Sequence, residues 1–177
     1  MTARAVVIAV IALAGVGCGG GDRLSKGEYE AEMRPIVVGL SSGIDRMHST
    51  LADTTRMDEF ARELGRGRQA LRAAAERLDA IEPPDDVERV HDGLAAGARQ
   101  YAHELEPLQA AARCRDEEAF QLAEGRRSRA GFVAVTTAID ALRARGYRIP
   151  DLALRGVAPP RRAVPARPLP ADCAERT

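Results

Sequence analysis

Between Ser25 and Gly146, apolar residues recur three and four positions apart. That period gathers them on one stripe of an α-helix. The first stripe is Met33, Ile36, Val37, Leu40, Ile44, Met47 and Leu51. The second is Phe60, Leu64, Leu71, Ala74, Leu78 and Ile81, with Gly67 where a large residue would otherwise sit. The third is Val87, Val90, Leu94, Ala98, Tyr101, Leu105 and Leu108. The fourth, Phe120, Phe132, Val135, Ile139 and Leu142, is less regular, because Glu124 and Ser128 fall on it. No strand alternation and no internal repeat is evident. Four such helices of about 25–30 residues, joined by short connections, predict an all-α, up-down-up-down four-helix bundle. A three-helix bundle with a loosely attached fourth helix is the alternative.

Punctuation along the chain sets the expected ends. Ser25 with Glu28 forms a capping box for the first helix, and Pro35 is expected to kink or separate its first turns. The second helix is expected to start near Thr54 or Thr55 and to stop before Pro83-Pro84, with Asp85-Asp86 capping the third. Pro107 is expected to bend the third helix near its end. A turn at Cys114–Asp116 precedes the fourth, and Gly146 ends it as a C′ residue. From Pro150 to Pro170 the chain is rich in Pro, Arg and Ala, which predicts an extended or disordered tail.

The N-terminus follows different rules. Arg4 supplies a positive start, and Ala5–Gly17 is an unbroken run of apolar and small residues. As a helix that run would measure about 20 Å, short of the ~30 Å hydrocarbon core of a bilayer. Cys18 follows, then Gly19, Gly20 and Gly21. Val16, Gly17 and Cys18 resemble a lipobox, the site where signal peptidase II cleaves before a lipid-modified cysteine; Gly15 stands where a Leu is usual. The resemblance implies that Cys18 carries diacylglycerol and that Gly17 is the last residue removed. The Gly-rich stretch suits a flexible tether, and two or more acyl chains suffice for stable anchoring. An ordinary secretory signal cleaved near Ala14 or Gly17 is the alternative. The expected organisation is therefore signal peptide 1–17, lipidated tether 18–24, four-helix bundle 25–147 and tail 148–177.

Composition narrows the function. The formal net charge is zero, so nucleic acid is not implied; aromatic residues are 3% and Trp is absent, which disfavours base-stacking platforms. Lys26 is the one lysine, and arginine carries the rest of the positive charge. Leader, tether and this Arg- and Ala-rich composition together resemble small helical lipoproteins of high-GC Gram-positive bacteria, a likeness that brings no activity with it. With Cys18 set aside, Cys114 and Cys173 remain; in an exported protein they suggest one disulfide, the alternative being two free thiols.

Candidate chemistry is sparse. Glu88-x-x-His91 has the spacing of di-iron bundles, with Asp45-x-x-His48 as a loose analogue, but the two histidines are expected at opposite ends of the bundle, roughly 25 Å apart. They read as bundle-edge residues. His103-x-x-Glu106 has the spacing of imelysin-like proteins without their preceding Gly, and reads as a solvated face. No metal, cofactor or catalytic constellation is expected, and no enzyme. Counting rise per residue brings Ser42, Tyr101, Glu124 and Ser128 to similar heights, where they would line a small polar cavity with Arg68 or Arg127 as the partner of Glu124. The favoured reading is instead glycine-mediated close packing with Glu124 at a solvated seam. Arg126, Arg127 and Arg129, and in the tail Arg161, Arg162 and Arg167, form basic runs suited to anionic lipid or wall polymer.

These readings combine into one expectation. The chain is a membrane lipoprotein, held outside the cell through lipid on Cys18. Its helical bundle acts as a binding or structural module of the cell envelope, with an envelope protein or an anionic polymer as partner. The alternative is a small-ligand or metal-binding accessory lipoprotein for uptake.

Overall fold

A computed structural model describes residues 23–53 and 56–152, with residues 51–53 described by their backbone alone. The signal peptide, Cys18, the tether up to residue 22, and the tail from 153 lie outside the described residues. Six helices follow one another: α1 (Lys26–Asp53), α2 (Met57–Asp79), α3 (Glu88–Glu104), α4 (Glu106–Arg113), α5 (Glu117–Arg126) and α6 (Ala130–Ala144). They make the four arms expected from the stripes, because α3 with α4 forms the third arm and α5 with α6 the fourth.

The arms run antiparallel. Gly43 of α1 faces Ala70 of α2, while Met47 faces Gly67. Arg68 of α2 reaches the Ala102 carbonyl of α3, while His91 reaches back to Leu78. Gly97 of α3 faces Ala134 of α6, and Gly131 faces Tyr101. The first arm meets the segment that follows α6: the Tyr29 and Tyr147 rings lie edge-on at 5.5 Å, and the Arg148 amide donates to Glu30 at 2.9 Å.

The core is the set of stripes. Met33, Ile36, Val37, Leu40, Ile44 and Met47 of α1 are buried, as are Leu64, Leu71, Leu78, Leu94, Leu105, Val135, Ile139 and Leu142 of the other arms. Alanine fills many of the remaining inward positions, so backbones approach closely. Gly131 marks the tightest point: a Cβ there would lie 2.3 Å from the Tyr101 amide nitrogen.

The ends obey local chemistry, with some departures from expectation. The capping box forms in full: the Ser25 amide and hydroxyl donate to Glu28 at 2.9 and 2.6 Å, and the Glu28 amide donates back to Ser25 Oγ at 3.4 Å. Pro35 does not separate the first turns; it lies within the continuous α1. Asp85 and Asp86 do not cap α3, whose N-cap is Val87 without a side-chain bond. Asp85 instead pairs with Arg23, and Asp86 accepts from the Tyr147 hydroxyl. The third arm breaks at Leu105, and Pro107 falls in the first turn of α4, where its missing N–H costs nothing. Asp116 caps α5 by accepting from the Ala119 amide at 2.9 Å. Gly146, at φ +79°, ends α6. Its amide bonds the Arg143 carbonyl and the Tyr147 amide bonds that of Leu142, the paired bonds of a Schellman motif. Beyond it the chain stays on the body, because Tyr147, Ile149 and Leu152 are buried.

Candidate functional site

A cleft of about 810 Å³ lies between α2 and α4. It owes its shape to the break at Leu105, which turns α4 across the early part of α2. Gln109 of α4 is buried there: its Nε2 donates to the Ala61 carbonyl at 3.2 Å, and its Oε1 accepts from Arg68. Gly65 is required beside it, since a Cβ would fall 2.5 Å from Gln109 Nε2. Arg68 is a strut, 13% exposed, bonded also to the Ala102 carbonyl and, at 2.6 Å, to Glu106.

Around this floor stand Arg62, Arg66, Arg72 and Arg113, with Glu76 at the far end. Arg62 pairs with Asp58 at 3.0 Å and Arg66 pairs with Glu63. Both guanidinium side chains remain more than half exposed, but Glu63 is buried, so only the Arg62–Asp58 pair is weakly held. Arg72 and Arg113 make no hydrogen bond or ion pair among the described residues. The cleft thus offers guanidinium groups to solvent over a hydrogen-bonded floor whose own charge, on Arg68, is neutralised by Glu106. Such groups recognise carboxylate and phosphate oxygens in paired N–H bonds.

The polar cavity expected from helix heights does not assemble. Tyr101 is buried, but Ser42, Glu124 and Ser128 are exposed. The fourth arm breaks over Arg127–Arg129, and the break shifts the helical phase of Glu124 away from the core. Gly67 gives room to Met47 rather than to a void, since a Cβ there would lie 2.7 Å from Met47 Sδ. Arg68 serves Glu106, not Glu124. A second, smaller cleft of about 340 Å³ does include Ser128, with Glu104, Pro107, Leu122, Arg126 and Arg127. Glu104, which sequence reasoning passed over, bonds the Gly131 amide through Oε1, while its Oε2 is buried without a partner among the described residues. His48 Nδ1 and Arg127 Nε share that condition.

The histidines separate by environment. His91 is not at the bundle edge but in the core. His48 is half-buried; burial, and next the Arg127 guanidinium, hold its imidazole below the usual range. His103 is exposed and lies 3.1 Å from Glu106, as a solvated face requires. Cys114, at the α4–α5 turn, is disulfide-bonded; Cys173, its expected partner, lies outside the described residues, as does Cys18. No described helix is long and apolar enough to cross a membrane. Comparison with protein-family models, curated proteins and solved structures gives no match to this chain.

Proposed function

We propose that the chain is a lipid-anchored, extracytoplasmic helical bundle serving as a binding module of the cell envelope. The observation that carries this reading is the open, arginine-lined cleft on α2 and α4. It is a surface for holding a partner, and it lacks the convergent acid, base and nucleophile of a catalytic site. The leader ending at Cys18 supports the address, and the capping box at Ser25 supports a body that begins within a few residues of the anchor. A second reading, a small-ligand accessory lipoprotein, draws on the cleft beside Glu104 and Arg127, whose unpartnered buried atoms suit a polar guest.

Replacing the anchor tests the address. Wild-type protein is expected in the detergent phase, and Cys18→Ala in the soluble fraction or as unprocessed precursor. Identical partitioning and mobility of the two would overturn the lipoprotein reading.

A further inference from the structure

We infer that the α2–α4 cleft is a membrane-distal site for a linear polyanion, gripped by Arg72 and Arg113. The inference rests on the lipid-anchor reading for its orientation and on the cleft itself for its chemistry.

Orientation comes from where the chain enters the bundle. The Leu24 amide donates to the Glu82 carbonyl at 3.1 Å, and Arg23 bonds the Pro83 carbonyl. The end of the bundle that holds the α2–α3 connection is therefore the anchored end. From Cys18 to Arg23 the chain can reach at most about 18 Å, whatever its conformation. Arg62 lies 17 residues before Asp79 on α2, which is about 25 Å up a helix standing on that end. Gln109 bonds the Ala61 carbonyl, so α4 and Arg113 belong to the same upper level. Surface potential decays over about 8–10 Å at physiological salt. In an upright bundle Arg62 and Arg113 stand beyond the field of the lipid headgroups, and Arg72, about 10 Å above Asp79, stands at its edge.

Shape and charge select the ligand class. The lining extends along α2 from Ala61 to Glu76, about 22 Å of helix, and the cleft is open along its length. A small anion would be poorly enclosed in such a trench, whereas a chain carrying repeated phosphodiester or carboxylate groups would meet several guanidinium groups in turn. Arg68 is consumed by Glu106, Gln109 and Ala102, and cannot serve. Arg72 and Arg113 are exposed and free of partners among the described residues, so ligand binding breaks no existing pair at these two. Arg62 adds to the grip by exchanging a weak surface pair, while Arg66 stays with the buried Glu63 carboxylate. Glu76 ends the basic row toward the membrane and repels a polyanion there.

The test uses the intact Cys18→Ala chain and three probes: polyphosphate, poly-glutamate, and vesicles of phosphatidylglycerol. Binding to one of the polymers is expected, with affinity falling as salt rises, and the stronger polymer identifies the oxyanion. Arg72→Glu with Arg113→Glu is expected to weaken that binding by about tenfold or more, as removal of charge-assisted contacts requires. Both positions are exposed, so the variant should melt as the parent does, which circular dichroism checks. Equal binding by parent and variant, or binding of neither polymer, overturns the inference. Vesicle binding that is stronger than either polymer and lost in the same variant also overturns it, by making the site a headgroup site. Anchoring is read separately from detergent partitioning at Cys18, so either conclusion can fail without the other.

Discussion

The Tyr29 hydroxyl and His91 Nδ1 lie 2.9 Å apart in the buried core, and the other ring nitrogen of His91 is 2.9 Å from the Leu78 carbonyl. A carbonyl only accepts, so Nε2 must carry the proton. With one proton on the ring, Nδ1 is the acceptor and the tyrosine the donor. The His91 imidazole thus joins α1, α2 and α3, and burial pushes the Tyr29 phenol well above its usual range. Tyr29→Phe removes the donor and leaves Nδ1 buried and unpaired. It should cost about 1–3 kcal/mol in urea denaturation, the penalty for an unsatisfied buried acceptor. A loss below about 0.5 kcal/mol would mean that water reaches the imidazole.

Leu71 and Leu94 sit at the middle of their stripes and are 1% and 0% exposed. Each substitution to Ala should cost about 2–5 kcal/mol, from lost transfer energy plus the cavity left behind. Gly131 tests the same packing from the opposite direction. Alanine favours a helix over glycine by about 1 kcal/mol. Its Cβ would nevertheless meet the Tyr101 backbone, which cannot swing aside as a side chain can. The net effect of Gly131→Ala should be destabilising by about 1–3 kcal/mol, as for other overpacked sites. A stabilised Gly131→Ala protein would show that α3 and α6 are not pressed together there.

The stripes made the arms legible because burial repeats with the helical period over many turns. Their breaks were only half legible. Pro107 cannot donate to a carbonyl one turn back, so the third arm gives way at Leu105 instead of bending further on. Glu124 and Ser128 marked the fourth stripe as irregular, and the break falls beside them, where Ser128 Oγ accepts from the Ala130 amide at 3.1 Å. The arginine cleft has no such local signature. Contiguous runs such as Arg126, Arg127 and Arg129 attract the eye, whereas Arg62, Arg66 and Arg72 are separated in sequence. Only their helical spacing hinted at a shared face, and nothing local announces that Arg113 joins them. The core position of His91 is illegible for a related reason: its partner Tyr29 lies 62 residues away.

His48 should make stability depend on pH. Burial and the nearby charges of Arg127 and Arg129 depress its pKa below the ordinary 6.5, with Asp45 opposing them more weakly. The unfolded chain then binds more protons than the folded one as pH falls below about 6.5. The contribution of neutral His48 is complete above that pH and is lost as pH drops through the depressed folded value. Unfolding free energies at about pH 7.5 and about pH 5 should show a larger drop for wild type than for His48→Gln. Parallel losses in the two proteins would mean that carboxylates alone set the acid limit.

The disulfide at Cys114 links the bundle to the anchor question. The chain has three cysteines, so the partner of Cys114 is Cys18 or Cys173. A cysteine in thioether linkage to diacylglycerol has no thiol left to oxidise. If Cys18 is lipidated, the bridge must therefore run to Cys173, and the Arg-rich tail becomes a strap tied at the α4–α5 turn, next to Arg113. Non-reducing peptide mapping of exported protein should then yield a joined Cys114–Cys173 pair. That bridge closes a loop of roughly 60 residues, for which chain entropy predicts about 4 kcal/mol of stabilisation. Reduction should lower the denaturation midpoint accordingly, unless ordering the tail offsets part of the gain. Free alkylatable thiols at both positions would leave the tail untied. A Cys18–Cys114 peptide would be more consequential, because one sulfur cannot hold both a disulfide and a lipid, and it would remove the anchor together with the orientation inferred for the cleft.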